Sequence, residues 1–158
     1  MEQIDSATGT VTTYMGECGQ SGRVYSGHRT NDVKVYWMFG IAVHEEEVFV
    51  SLYEAKKILQ VVGDTVAVLA DMQYETRHLT LLADGVTMYF SYNFGVGVMN
   101  VENTSSITYI CGTETRGSKL GSLEESRFTY ISEVLPVSDK LIIFNQHEDN
   151  RSVTWNKL

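Results

Sequence analysis

Apolar and polar side chains alternate with period two along much of this chain. In "VTMYFSYNF", Val86, Met88, Phe90, Tyr92 and Phe94 fall on one side, with Thr87, Tyr89, Ser91 and Asn93 on the other. Successive side chains of a strand point to opposite faces, so the spacing predicts a half-buried strand with a polar outer surface. The preceding "TRHLTLLADG" supplies a second strand and the pair Asp84-Gly85. Asp-Gly accepts the positive φ of a type I′ turn, so residues 76–94 are expected to form a β-hairpin.

The same rhythm recurs elsewhere. "VKVYWMFGIAV" sets Val33, Val35, Trp37 and Phe39 against Lys34, Tyr36 and Met38, which predicts one long strand. "EEVFVS", "DTVAVLADM", "SSITYICG", "RFTYISEV", "KLIIFNQ" and "RSVTWNKL" carry β-branched and aromatic residues between turn formers, and shorter strands are expected near Val11–Met15 and Arg23–Gly27. One segment breaks the rhythm. In "SLYEAKKILQVVGD", Ser51 and Glu54 have capping-box spacing, Leu52, Ala55, Ile58, Leu59 and Val62 recur at helical spacing, and Gly63 suits a left-handed C′ position. The expected architecture is mainly β, a sandwich or barrel-like domain of about nine or ten mostly antiparallel strands, with one short α-helix near residues 52–62. "FGVGVMNV" places Gly95 and Gly97 on one strand face, which predicts a bulge, a bend or the close approach of another group.

Composition narrows the functional classes. A chain of 158 residues with 43% hydrophobic content suits one globular domain with one continuous core. The single proline, Pro136, is compatible with a strand-rich chain. The formal charge of −8 argues against nucleic acid and anionic membrane surfaces, both of which select for clustered Lys and Arg. It leaves a basic protein partner open. Cys18 and Cys111 lie far apart and neither belongs to a C-x-x-C pair, so spacing leaves their pairing undecided. "MEQIDSATGTV" does not read as a signal peptide, and no apolar run has membrane-spanning length, so a cytoplasmic location with reduced thiols is expected. The sequons at Asn103 and Asn150 then carry no glycan.

Three motifs invite a chemical reading. "GTETRGSKLGS" has Gly112 and Gly117 at P-loop spacing, but Ser118 occupies the lysine position and Leu120 follows Lys119. A phosphate cradle also needs a helix directly behind it, and a strand pattern follows instead. The segment therefore reads as a polar loop between strands. "HEEE" at 44–47 sketches a metal site from His44 and Glu46, yet His28, His78 and His147 lie in unrelated segments and a site needs more ligands. A solvated turn is the expected form, with Glu45, Glu46 and Glu47 available to steer a cationic partner. Cys111 closes an apolar strand, where a thiol is inert, and no G-x-S-x-G elbow occurs. Asp71 with Glu75, or Glu124 with Glu125, are carboxylate pairs of the kind any acidic surface shows.

The sequence thus points to a non-enzymatic, cofactor-free acidic binding protein that acts by protein–protein contact. One specific form is an inhibitor of the immunity-protein kind that occludes a basic partner. Tyr36 and Tyr89, read as outward aromatics, join Glu45–Glu47 as the expected contact residues. Two alternatives stand beside it: a small-ligand carrier with an apolar β-barrel cavity, and a subunit of a symmetric assembly, for example a viral or phage one. The lipocalin G-x-W signature is absent, since Tyr36 precedes Trp37.

Overall fold

The computed structural model describes residues 1–16, 22–119, 121–138, 141–148 and 152–157. Fourteen strands occur among them: β1 (Glu2–Ile4), β2 (Val11–Thr13), β3 (Gly27–His28), β4 (Met38–His44), β5 (Glu47–Leu52), β6 (Lys57–Val62), β7 (Thr65–Asp71), β8 (Thr76–Leu81), β9 (Thr87–Tyr92), β10 (Gly95–Asn100), β11 (Thr108–Gly112), β12 (Tyr130–Ser138), β13 (Leu141–Glu148) and β14 (Ser152–Lys157). They build a five-stranded sheet in the order β3-β7-β6-β5-β4, a four-stranded sheet β11-β10-β9-β8, a three-stranded sheet β12-β13-β14 and the small hairpin β1-β2. Every pairing is antiparallel. The mainly β, antiparallel expectation holds. The strand number exceeds nine or ten because the expected helix is replaced by strand β6, and short strands such as β1 and β3 add to the count.

Three apolar clusters hold the sheets together. Phe49 and Ile58 from the five-stranded sheet meet Leu79, Met88, Phe90 and Met99 from the four-stranded sheet. The opposite face of the five-stranded sheet, with Val50, Leu52, Leu59 and Val61, is covered by Met15, Val33 and Val35 of the N-terminal segment. Val96 and Cys111 on the far side of the four-stranded sheet pack against Phe128, Ile131, Val134, Ile142 and Phe144. Burying such apolar surface contributes roughly 25 cal/mol per Å2, which makes these contacts the main cohesive force. The inter-sheet space that an apolar-cavity carrier needs holds the side chains of Phe49, Met88, Phe90 and Met99, all fully buried.

No helix forms over 52–62. Leu52 ends β5, residues 53–56 turn, and β6 returns antiparallel with Leu52 opposite Lys57. Ser51, expected to cap a helix, is buried: its hydroxyl accepts from the Gly40 N–H and donates to the Arg77 carbonyl, each at 2.7 Å. The helical spacing has a physical origin. Strand β6 is covered on both sides, Ile58 facing one core and Leu59 and Val61 the other. A bulge between Ile58 and Leu59 shifts the register further. Two-sided burial removes the polar half of the alternation, and β-branched Ile58, Val61 and Val62 favour the strand. Gly63, with φ of 54°, serves the β6–β7 turn.

Two strand readings are also corrected. The long strand over 33–43 breaks at Trp37, whose φ of 57° turns the chain before β4 starts at Met38. Val33 and Val35 point inward, but Trp37 and Phe39 emerge on the surface. The hairpin over 76–94 forms, as β8 and β9, through a longer turn than the two-residue type I′. Asp84 organises it with its carboxylate, which accepts from the Val86 and Thr87 N–H groups at 2.9 Å each. The supposedly polar outer face of β9 is covered as well: Ser91 is fully buried and Tyr89 packs on the third cluster. The strand alternates correctly, but a third layer lies outside it.

The glycine-rich strand resolves structurally. A Cβ on Gly97 would run into the Phe90 ring, and one on Gly95 into Tyr92 and the Cys111 carbonyl. Neighbouring rings occupy the bare face, beside a bulge between Val96 and Gly97.

Candidate functional site

The expected contact residues separate. Glu45 and Glu46 are exposed at the β4–β5 turn, Glu45 with φ of 51°. Glu47 is half-buried and accepts from the Gln60 side-chain amide at 3.2 Å. His44 lies opposite Glu47 in the pairing and rests against Gly85, so it does not share a site with Glu46. Tyr36 is half-buried, its hydroxyl accepting from Arg23 at 3.2 and 3.3 Å. Tyr89 is half-buried and packs on the third core. Cys18 lies outside the described residues.

A site that sequence spacing does not reveal is assembled around Arg77, at the start of β8. Its guanidinium lies 5.2 Å from the Phe39 ring centre, 4.7 Å from that of Tyr53 and 5.1 Å from that of Tyr130. A cation over a ring face is attracted by the ring quadrupole, so the arginine draws together aromatics from β4, the β5–β6 turn and β12. Trp37 extends the group, stacked on Tyr53 at 6.4 Å and 25°. Phe94 adds a ring 6.0 Å from Tyr130, and Arg116 stands 5.3 Å above the Tyr130 ring.

Hydrogen bonds fix this arrangement. Arg77 Nε donates to Asn93 Oδ1 at 3.0 Å, and the Tyr53 hydroxyl donates to the same oxygen at 2.9 Å. The Asn93 amide donates to Glu75 Oε2 at 3.2 Å, and Glu75 Oε1 lies 3.8 Å from the Lys56 ammonium. Tyr53 N–H donates to the Trp37 carbonyl, and Lys56 N–H to that of Tyr53. Both Trp37 and Lys56 hold positive φ, 57° and 51°, flanking Tyr53. Non-glycine residues in that region store strain, and strain concentrates where the fold presents a functional surface.

The ridge continues along β4. Trp37, Phe39, Ile41 and Val43 are 58%, 47%, 51% and 60% exposed. Their inward alternates, Gly40 and Ala42, face the core side. Gly40 is required there: a Cβ would collide with the Arg77 carbonyl and come within 2.9 Å of the Leu79 nitrogen. Along β4 the apolar strip from Phe39 to Val43 runs for about 13 Å at the usual strand rise, with Trp37 ahead of it. It ends at the exposed carboxylates of Glu45 and Glu46.

A cleft of about 380 Å3 opens beside the ridge, sharing Asn93 and Phe94 with it. Its wall includes Tyr74 and Tyr92, stacked at 4.8 Å and 18°. The Tyr74 hydroxyl donates to Glu114 Oε1 at 2.8 Å. Burial, reinforced by that hydrogen bond, pushes the Tyr74 phenol up to about 12. Burial raises Tyr92 as well, and its hydroxyl donates to the Cys111 carbonyl at 2.9 Å.

Among the described residues, no three His, Cys, Asp or Glu side chains are placed to hold a metal ion. Cys111 is a buried free thiol, pushed up to about 11 by burial. Asp71 ion-pairs with Lys57, whereas Glu75 joins the Asn93 network, so they do not act as a pair. The loop after Gly112 connects β11 to β12, with Lys119 bridging Arg127 and ion-paired to Glu125 at 3.5 Å. No helix of the described residues is long and apolar enough to cross a membrane.

No family model and no curated protein matches this sequence. Among solved structures, the chain is similar to a protein of unknown function from Bacteroides thetaiotaomicron VPI-5482, solved at 1.70 Å, with a TM-score of 0.60 and 17% identity. The match covers 85% of this chain and 32% of that one, so this chain spans about a third of the neighbour's length. At that identity the likeness concerns the fold alone.

Proposed function

We propose that this protein is a non-catalytic binding module that docks a protein partner along β4. The carrying observation is the row of four large apolar side chains, each about half exposed at every second position: Trp37 just before β4, and Phe39, Ile41 and Val43 along it. Contiguous exposed apolar surface marks interaction sites, and Trp, Tyr and Arg dominate the energetics of such surfaces. The Arg77 network holds the rings in place before a partner arrives, which lowers the entropy lost on binding.

The charge distribution supports a basic partner. Glu45 and Glu46 stand at one end of the strip on a chain of net charge −8. Such charges accelerate encounter with a cationic surface, while the apolar strip supplies contact area. The occluding inhibitor remains one form of this reading. A photocrosslinking residue at position 41, with another at exposed Ser105 as control, tests it in native lysate. Position 41 should capture a protein that position 105 does not, and Trp37→Ala should abolish the product. Replacing Glu45 and Glu46 with Gln should slow association at low salt and leave the high-salt rate unchanged. Equal capture from both positions, or none, would defeat the docking strip. Capture of only a second copy of this chain would replace a foreign partner with a symmetric assembly.

A further inference from the structure

The cleft beside the ridge has a chemistry of its own, independent of the docking strip. Its charged groups are mixed in sign. Glu75 and Glu114 contribute carboxylates and Lys56 an ammonium, with Lys56 only 3.8 Å from Glu75. Two carboxylates disfavour an anion such as phosphate, and the ammonium disfavours a cation. An aliphatic ligand fits no better, because these groups would lose their water without replacement. The chemistry left is a neutral molecule rich in hydroxyls.

The hydrogen-bonding inventory agrees. Glu75 accepts from the Asn93 amide and Glu114 from the Tyr74 hydroxyl. Each carboxylate offers about four lone-pair sites, so both keep accepting capacity beyond these bonds. Lys56 donates to the Gln73 carbonyl at 3.3 Å and has further N–H groups. Acceptors and a donor side by side suit vicinal hydroxyls, each of which donates and accepts. Phe94 and Tyr74 supply ring surface, with Tyr74 stacked on the buried Tyr92. The C–H face of a pyranose packs on such rings while its hydroxyls bond outward. A cleft of about 380 Å3 falls in the range of small-molecule sites and accommodates one or two sugar rings.

We propose that the cleft bounded by Lys56, Glu75, Tyr74, Phe94 and Glu114 binds a neutral saccharide. The test is a titration of the full chain, followed by amide NMR, with D-glucose, D-galactose, N-acetyl-D-glucosamine and cellobiose. Inorganic phosphate and choline serve as anionic and cationic controls. At least one sugar should shift the Gln73, Tyr74 and Phe94 amides, with Kd near 1 mM or tighter, roughly −4 kcal/mol or better. Glu114→Gln, at an exposed position and with an amide oxygen that can still accept from Tyr74, should weaken that sugar by about tenfold, the loss of one hydrogen bond to a charged group. Phe94→Leu should weaken it comparably. Val43→Ser, at the far end of the strip, should leave the sugar affinity unchanged, so failure of the docking strip and failure of the cleft are read separately. Silence across all four sugars overturns the proposal, as does phosphate or choline shifting these amides in their place. Sugar binding unaffected by both cleft variants also overturns it.

Discussion

Replacing Arg77 with Met removes the charge that holds the ridge together while keeping most of the side-chain length. The guanidinium contacts the faces of Phe39, Tyr53 and Tyr130 at 5.2, 4.7 and 5.1 Å. At partly exposed sites each such contact is worth about 0.5–1 kcal/mol, so the set contributes about 1.5–3 kcal/mol. The 3.0 Å bond from Arg77 Nε to Asn93 adds a charged hydrogen bond, worth about 1.5 kcal/mol net. The thioether of methionine recovers roughly 1 kcal/mol against the rings. The expected loss is therefore about 3 kcal/mol, measured by urea unfolding at neutral pH. For a chain of this size that corresponds to a fall in Tm of about 6–12 °C. A double-mutant cycle with Tyr130→Leu should return a coupling of about 0.5–1 kcal/mol. A loss below about 1 kcal/mol, or no coupling to Tyr130, would show that the rings stand without the arginine and refute the reasoning.

Three further outcomes are expected. His78 is held below its ordinary value of 6.5 chiefly by burial, against the opposing pull of Glu133, and its Nδ1 accepts from the Val134 N–H at 3.3 Å. The unfolded chain therefore takes up a proton below about pH 6.5 that the fold resists, so stability is full above that pH and falls on acidification. His78→Gln should flatten unfolding curves in this window, and an unchanged slope would place the acid sensitivity elsewhere. Gly40→Ala should destabilise by about 1–3 kcal/mol, because the added methyl meets the Arg77 carbonyl and the strand cannot yield without parting β4 from β8; a neutral effect in thermal unfolding would refute that close approach. In a Cys18→Ser background, Cys111, raised from 9.0 to about 11, should alkylate at least about 100-fold more slowly in the folded than in the unfolded chain at pH 8. Equal rates would mean that the thiol is not buried.

Local sequence determined what depends on neighbours along the chain. Strand class, the hairpin at 76–94, the loop after Gly112 and the inert setting of Cys111 were all legible, because alternation, turn chemistry and apolar flanks act within a few residues. Layering was not legible. Strands β5 and β6 are covered on both faces, which erased their alternation and imitated a helix over 52–62. Tyr89 looked outward until a third sheet was laid upon it.

The candidate site belongs wholly to the tertiary structure. Phe39, Tyr53, Arg77, Asn93 and Tyr130 come from five separated segments, and no spacing among them signals a site. One local sign was present: an alternation that should have carried Trp37 and Phe39 inward with Val33 and Val35. The backbone reverses hand at Trp37 and sends both rings to the surface. Periodicity records which side of a strand is greasy, whereas the stacking of sheets decides whether that side meets another sheet or water, and stacking is set by contacts between residues far apart in the chain.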